Sequence, residues 1–240
     1  MNRKHSILLS TLIIAVLLGN SAHAENRRHG SHAVTLWWLF FNNPDACVTN
    51  PGASEQCGEV DVFGEAYLES IANGSPDPSP ISPNPNAKLA VLYATGGVTD
   101  FRGKIRLVAS AYRSASDVSL SLGPNVVDPL GLGRAFENPD AEVHLVLRDH
   151  GRRVQGGVIA QITNFLEPFC SDPLLLFYSG PNTCQDVQFA VFGPGESGSD
   201  SVFAFGNPPK RVRRASAYLF RNGDMIQAVV DTRLERRRDD

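Results

Sequence analysis

The sequence is poor in the features by which many enzymes are recognised. Its 240 residues include only four cysteines, and no two of these form a C-x-x-C pair, the usual start of a zinc site. The stretch at 195–199 lacks the last glycine of a G-x-S-x-G motif, and no P-loop lysine follows the glycines at 193–198. We therefore assign no catalytic residue and expect no cofactor.

Long apolar runs are also scarce. The run at 7–18 is about a dozen residues long, whereas a membrane span needs about 20. It follows two basic residues and precedes the small-residue pattern AHA at 22–24, which is the order of a secretory signal peptide. We predict a signal peptide at 1–24 and a mature chain that starts at Glu25. The predicted location is the periplasm or the medium, with no transmembrane anchor.

Residues that form turns are abundant. Glycine (21) and proline (16) together supply 37 of the 240 residues and are spread through the chain, which favours many short strands over long helices. We predict a mainly β fold, an antiparallel β-sandwich or jelly-roll-like domain with at most one or two short helices. This single domain spans 25–233, includes a mobile proline-rich loop at 73–86, and is followed by a charged tail at 234–240.

The apolar periodicity predicts individual elements. Residues 32–41 are apolar on both faces and predict a central buried strand, and a further strand is predicted at 59–66. Residues 88–96 and 104–113 alternate and predict a hairpin, whereas 158–165 has helical spacing. Asn222 and Gly223 predict a type I′ turn between the last two strands, because both residues tolerate positive φ.

Four cysteines in an exported chain favour disulfides. Local spacing favours Cys47 with Cys57 and Cys170 with Cys184, each pair closing a short loop rich in turn-forming residues. Three pairings of four cysteines are possible, and a zinc site is the rival interpretation. Because no C-x-x-C pair is present, we predict the two local disulfides.

Charge is unevenly distributed along the chain. The mature chain has 20 basic and 25 acidic residues, a formal charge of −5. Residues 210–240 contain nine basic and five acidic residues, or +4, so the rest of the mature chain carries −9. A basic end can mark nucleic-acid binding, but no aromatic RNA-binding motif is present and the remainder is acidic. We do not expect nucleic acid to be the partner.

One segment concentrates the polar chemistry of the chain. The alternation of 141–151 places His144, Arg148 and His150 on one side of a strand. We predict that this side lines a binding surface, with His32 as the best further contributor from a neighbouring strand. The two strand histidines are about 20 Å apart, so they cannot share a metal ion. Arg148 favours an anionic ligand or a carboxylate partner.

Three segments carry a resemblance to other proteins. HAVTLWWLFFNNPDAC at 32–47, AEVHLVLRDHG at 141–151 and CQDVQFAVF at 184–192 resemble a group of exported bacterial proteins, which implies export and a compact domain but no activity. ATGGVTDFRGKIRL at 94–107, followed by the histidine-bearing strand, is similar to chordin-type CHRD domains, which are β-sandwiches. That family's H-x-H-G signature is not intact here, so the resemblance implies the fold class and no functional residue.

These observations predict an exported, non-enzymatic binding domain. Its partner is expected to be a protein, a surface polymer or an anionic ligand. The alternative is a metal-binding protein or metal-dependent enzyme that holds copper or zinc through strand histidines. We assign no metal ligand.

Overall fold

The computed structural model describes residues 31–73, 81–113, 130–163, 170–171, 182–183, 185–200 and 212–234. Over these ranges the strands are β1 (His32–Phe41), β2 (Leu89–Val98), β3 (Lys104–Tyr112), β4 (Glu142–Arg152), β5 (Cys170–Ser171), β6 (Asn182–Thr183), β7 (Gln185–Phe192), β8 (Gly198–Asp200), β9 (Val212–Asn222) and β10 (Met225–Leu234). The helices are α1 (Glu59–Phe63), α2 (Glu65–Ala72) and α3 (Val158–Thr163), with 3-10 turns at Pro44–Ala46 and Pro85–Ala87.

Some predictions fall on residues outside these ranges. They concern the signal peptide at 1–24, the middle of the proline-rich loop at 74–80, the tail at 235–240, and Cys184, the partner predicted for Cys170. Within the described ranges, no helix is long and apolar enough to cross a membrane.

Two four-stranded antiparallel sheets make up most of the structure. The first sheet has the order β2-β1-β4-β7 and the second sheet has the order β3-β10-β9-β8, while β5 and β6 form a short parallel pair. Side chains from both sheets meet in one apolar core between them. The predicted antiparallel, mainly β fold of the sandwich type is therefore confirmed.

Strand β1 lies in the middle of the first sheet and is buried on both of its faces. Its inward residues, Val34, Leu36, Trp38 and Phe40, enter the core between the sheets. The alternate residues Trp37, Leu39 and Phe41 enter a second apolar cluster on the opposite side. A strand that is covered on both faces needs a nearly continuous apolar sequence, as the HAVTLWWLFF run indicates.

The second apolar cluster exists because the outer side of the first sheet is covered. The cover segment, residues 47–63, runs across this side and contributes Cys47, Cys57, Val62 and Phe63. Leu130 and Leu132 pack against the same cluster.

Among the described residues, the second sheet is covered on one face only. Its inward residues are buried in the core between the sheets: Leu107, Ala109, Ala111, Ala217, Leu219, Ile226, Ala228 and Val230. The residues that alternate with them point away from the first sheet, as side chains of a strand must. Strand β3 shows the resulting pattern, because Leu107, Ala109 and Ala111 are buried while Lys104, Arg106, Val108 and Tyr112 are exposed.

The strand predicted at 59–66 is wrong, since these residues form α1 and the beginning of α2. Val60 and Val62 mimic the alternation of a strand, but Asp61 between them is fully buried. Its carboxylate accepts the backbone N–H of Gly58 at 3.2 Å, which satisfies a free donor at the start of α1. Local capping thus outweighs the β-propensity of the two valines. By contrast, the predicted helix near 158 is confirmed by α3.

The predicted hairpin of 88–96 with 104–113 is also wrong. Strand β2 pairs with β1, whereas β3 pairs with β10, so the chain passes from the first sheet to the second between them. The turn is held by Asp100, whose carboxylate accepts the N–H groups of Arg102 and Lys104 at 2.8 Å each. Gly103 adopts a φ of 75° there. Alternation shows which face of a strand is buried, but it does not identify the strand's neighbour.

The hairpin of β9 and β10 is confirmed, but its turn differs from the predicted type. Asn222 pairs with Met225, so Gly223 and Asp224 form the two-residue loop. Gly223 has a φ of 58°, and Asn222 does not have positive φ. Positive φ at the first loop residue alone is the pattern of a type II′ turn rather than type I′.

Candidate functional site

Glu142 and His144 form a buried polar pair beneath the cover segment. Glu142 accepts the backbone N–H groups of Gln56 at 2.7 Å and Cys57 at 3.0 Å. His144 Nε2 lies 2.7 Å from the same carboxylate, and because a carboxylate only accepts, Nε2 donates. The imidazole ring lies between Phe41 and Phe189, with centroid distances of 4.8 and 5.0 Å. The pair therefore attaches the cover to the first sheet.

The cover segment is closed by the predicted disulfide between Cys47 and Cys57, which is confirmed with a Cα–Cα distance of 5.0 Å. Inside this loop, Asp61 accepts five hydrogen bonds. The donors are the N–H groups of Val48, Thr49 and Gly58, the Thr49 hydroxyl and the Asn84 side-chain amide. Burial alone would raise the pKa of Asp61, but these hydrogen bonds hold it below its ordinary value.

A second buried polar group lies at the other end of β4. His150 Nε2 is 2.8 Å from the hydroxyl oxygen of Thr35, which also accepts the indole N–H of Trp37 at 2.8 Å. Burial, reinforced by the positive charge of Arg148, lowers the pKa of His150 to about 3. His150 is therefore neutral at physiological pH. Its backbone carbonyl accepts a hydrogen bond from Gln161 of α3, which fixes the end of the strand.

Arg148 and His32 occupy positions next to this group. Arg148 stands opposite Thr35 on β1 and opposite Asp186 on β7 in the sheet register. His32 Nδ1 lies 2.9 Å from the carboxylate of Asp149, at the edge of the sandwich. His32 is the one histidine of β1 and β4 with a partly exposed side chain, at 27%.

The four residues predicted to form a binding site do not form one group, because Arg148, His150 and His32 lie toward one end of β4 and His144 lies beside Glu142 at the other. His144 contacts Glu142, His150 contacts Thr35, and His32 contacts Asp149. In the described part of the chain, no three His, Cys, Asp or Glu side chains are grouped so that they could hold a metal ion. His144, Arg148 and His150 share one side of β4, as the alternation predicts, but they are only 1%, 4% and 0% exposed. Side chains this deeply buried do not present a surface to a partner in solution.

The outward side of the second sheet is accessible instead. We call the outward residues of β3, β9 and β10 the open face: Lys104, Arg106, Val108, Ser110, Tyr112, Ser216, Tyr218, Phe220, Asn222, Met225, Gln227, Val229, Asp231 and Arg233. Seven large apolar side chains are exposed in the described ranges, and four of them lie on this face. These are Val108 at 49%, Tyr112 at 56%, Tyr218 at 39% and Phe220 at 51% exposed.

The apolar residues of the open face are contiguous. Val108, Val229 and Tyr218 stand side by side on three neighbouring strands. Met225 joins Tyr112 in the row nearest the β9–β10 turn, and Gln227 lies between Ser110 and Phe220 in the row below. Paired strands are about 4.8 Å apart, so these side chains form one continuous patch.

The opposite end of the open face is basic. Lys104 and Arg233 occupy one row on neighbouring strands, and Arg106 and Asp231 occupy the next. Lys104, Arg106 and Arg233 against Asp231 give the described outward side chains a formal charge of +2. No described carboxylate lies within 4.0 Å of the side-chain nitrogens of Lys104, Arg106 or Arg233.

The sequence contained the signal for this face, although it did not lead to a site prediction. The alternation of 104–112 and 225–233 identifies the solvent side of each strand, and Val108, Tyr112 and Val229 fall on that side. A large apolar residue at an expected solvent position is more informative than a histidine on a strand. These residues can be recognised as one patch only when the pairing of the strands is known.

Comparison with known proteins gives no family: no family model, no curated protein and no solved structure matches the chain.

Proposed function

We propose that this protein is an exported, non-enzymatic binding domain and that the open face is its interaction surface. The observation that carries the proposal is the contrast between the two sheets: the first is covered on both sides, whereas the second exposes Val108, Tyr112, Tyr218 and Phe220 together. Contiguous exposed apolar side chains are costly in water and mark sites of association.

The composition of the open face supports this proposal. Interfaces between proteins are enriched in Tyr, Phe, Met and Arg, and all four occur among its outward residues. Full burial of a fully exposed large apolar side chain contributes about 1.5 to 3 kcal/mol, and covering one of these half-exposed aromatic side chains contributes about half of that. The few large apolar side chains exposed elsewhere in the described part, such as Val48 and Ile159, lie on separate loops and helices.

The buried polar groups of β4 have a structural explanation. Glu142 and His144 hold the cover, and Thr35, Trp37 and His150 satisfy one another's hydrogen bonds. The proposal therefore moves the interaction surface from the polar side of β4 to the second sheet. The resemblance to chordin-type domains stays a prediction.

Export is the second part of the proposal. The Cys47–Cys57 disulfide suits an oxidising compartment such as the periplasm or the medium. N-terminal sequencing of protein from these compartments should find Glu25 as the first residue. Retention of residues 1–24 in the exported protein would contradict a cleaved signal peptide.

Differential capture tests the binding surface. The mature protein, the Tyr218→Ser/Phe220→Ser variant and the Val48→Ser variant are immobilised and exposed to periplasmic extract, culture medium and a glycan array. Val48→Ser is the matched control, because Val48 is similarly exposed but lies on the cover segment. We expect the same ligand to be retained by the wild type and the control and lost by the double variant. Equal retention by all three proteins would refute the assignment of the open face.

A further inference from the structure

We propose that the partner of the open face is an acidic protein segment that also carries apolar side chains. This inference rests on the proposed function, because it names the chemistry of the partner at the same surface. It follows from two features of that surface, its excess of positive charge and the aliphatic side chains of Val108, Val229 and Met225 that stand among its aromatic ones.

The charge on the face is not balanced from within. Lys104 and Arg233 are directly opposed in the register. Like charges in directly opposed positions destabilise a sheet. Asp231 in the next row is the one acidic residue among the outward positions, and it forms no ion pair within 4.0 Å in the described part of the chain. An acidic partner would remove this repulsion.

The centre of the face distinguishes a protein from a polysaccharide. Val108 and Val229 stand beside Tyr218, and Met225 stands beside Tyr112. Sugar rings stack on flat aromatic surfaces, whereas branched and flexible aliphatic side chains pack best against other apolar side chains. Methionine in particular adapts to the shape of an apolar partner. The aliphatic side chains that stand beside the tyrosines therefore favour a polypeptide over an acidic sugar polymer.

The separation of basic and apolar rows also sets the direction in which the partner segment lies on the face. The distance along β3 from Lys104 to Tyr112 is about 26 Å, at about 3.3 Å per residue, which an extended segment of about eight residues would span. Its acidic end would lie over Lys104 and Arg233, and its apolar end over Tyr112 and Phe220.

Fluorescence anisotropy with defined probes tests this inference on the mature protein. The first probe is a labelled peptide with a glutamate-rich half and a half that bears Leu and Phe. The second has lysine in place of each glutamate, and the third is labelled polygalacturonate, an acidic sugar polymer. We expect the acidic peptide alone to bind, and its affinity to fall as salt is raised.

Charge reversal supplies the matched variants. Arg233→Glu should weaken binding of the acidic peptide by roughly tenfold or more, because it replaces attraction with repulsion. Arg153→Glu is the control, since Arg153 is equally charged and exposed but follows β4 at the edge of the sandwich. Equal binding to both variants would overturn the inference, as would binding of polygalacturonate in place of the peptide. A concentration-dependent dimer in sedimentation that Tyr218→Ser dissociates would assign the face to a second copy and also overturn it.

The two proposals can fail separately. If Tyr218→Ser/Phe220→Ser abolishes capture from extracts while Arg233→Glu leaves it unchanged, the open face is the binding surface but its partner is not acidic. If neither variant changes capture, both proposals are wrong.

Discussion

The outer side of the first sheet and the outer side of the second sheet both carry large apolar residues, but they are used differently. Trp37, Leu39 and Phe41 of the first sheet lie under the cover segment, whereas Tyr218 and Phe220 of the second sheet lie in solvent. The difference comes from the elements that pack on the outer side of each sheet. A disulfide-closed loop with α1 occupies one surface, and no described element occupies the other.

Two buried carboxylates hold the cover segment in place. Asp61 organises the disulfide loop from inside, and Glu142 attaches it to β4. Buried carboxylates are stable only when they are well hydrogen-bonded, and both are. Polar residues on the covered side are therefore structural, and apolar residues on the uncovered side are the ones left for a partner. If this comparison is correct, substitutions on the two sides must affect different properties.

The largest contrast is expected between two outward phenylalanines. Phe41→Ala should lower the free energy of unfolding by about 3 to 5 kcal/mol, because it opens a cavity under the cover. Phe220→Ala should change it by less than about 0.5 kcal/mol, because Phe220 is half exposed. Urea denaturation of both variants measures the difference. Similar losses would mean that the open face is packed in solution.

The disulfide should contribute the next largest effect. Replacing Cys47 and Cys57 together by Ala should lower the free energy of unfolding by about 3 kcal/mol, as expected for a ten-residue separation. The native state of this variant should also bind more of a dye that fluoresces on apolar surfaces, because the outer side of the first sheet becomes accessible. Unchanged dye binding in the folded variant would show that the disulfide does not hold the cover.

The His144→Ala variant tests whether the polar side of β4 contributes to stability without contributing to partner binding. It should lower the free energy of unfolding by about 2 kcal/mol, since it empties the space between two aromatic rings and removes a donor from Glu142. Capture of the partner by the folded variant should equal that of the wild type. Loss of capture without loss of stability would restore β4 as the binding surface.

The effect that is smallest near neutral pH, and grows as pH falls, comes from His150. An unfolded histidine has a pKa near 6.5, whereas the pKa of His150 in the folded protein is about 3. Between these values the unfolded chain binds a proton that the folded protein does not, so the free energy of unfolding falls as pH falls. The His150 contribution should approach about 1.4 kcal/mol per pH unit. Denaturation of wild type and His150→Gln from neutral pH down to about pH 4 should show a shallower slope in the variant. Identical slopes would contradict a neutral, buried His150.

Sequence patterns predicted much of the fold because they report burial directly. The apolar run of β1 correctly predicted a strand buried on both faces, the alternation of β3 correctly predicted a strand and its buried face, and β9 was correctly predicted as a hairpin strand. The pairing of the strands could not be predicted in the same way, because the same alternation fits a strand in either sheet. That is why β2 and β3 were expected to pair with each other although they belong to different sheets.

The candidate site was harder to predict for a related reason. Residues of β4 alternate as a half-exposed strand would, with Glu142, His144, Arg148 and His150 on one side. The burial of Glu142 and His144 involves a cover that arrives from residues 47–63, and His150 is held by Thr35 of β1 and Gln161 of α3, so the partners of this side come from several segments. Within that cover, Val60 and Val62 alternate as in a strand, and the burial of Asp61 between them relies on Val48 and Asn84 as well as on the local donor Gly58, so the pattern alone does not predict α1.

The most direct test of the account follows methyl signals by NMR when the acidic, apolar peptide is added to the mature protein. Val108, Val229 and Met225 report on the open face, while Val146 reports on the covered side of β4. The account predicts that the first three signals shift with a common saturation curve and that the Val146 signal stays in place. Shifts centred on Val146, with Val108 and Val229 unchanged, would contradict it.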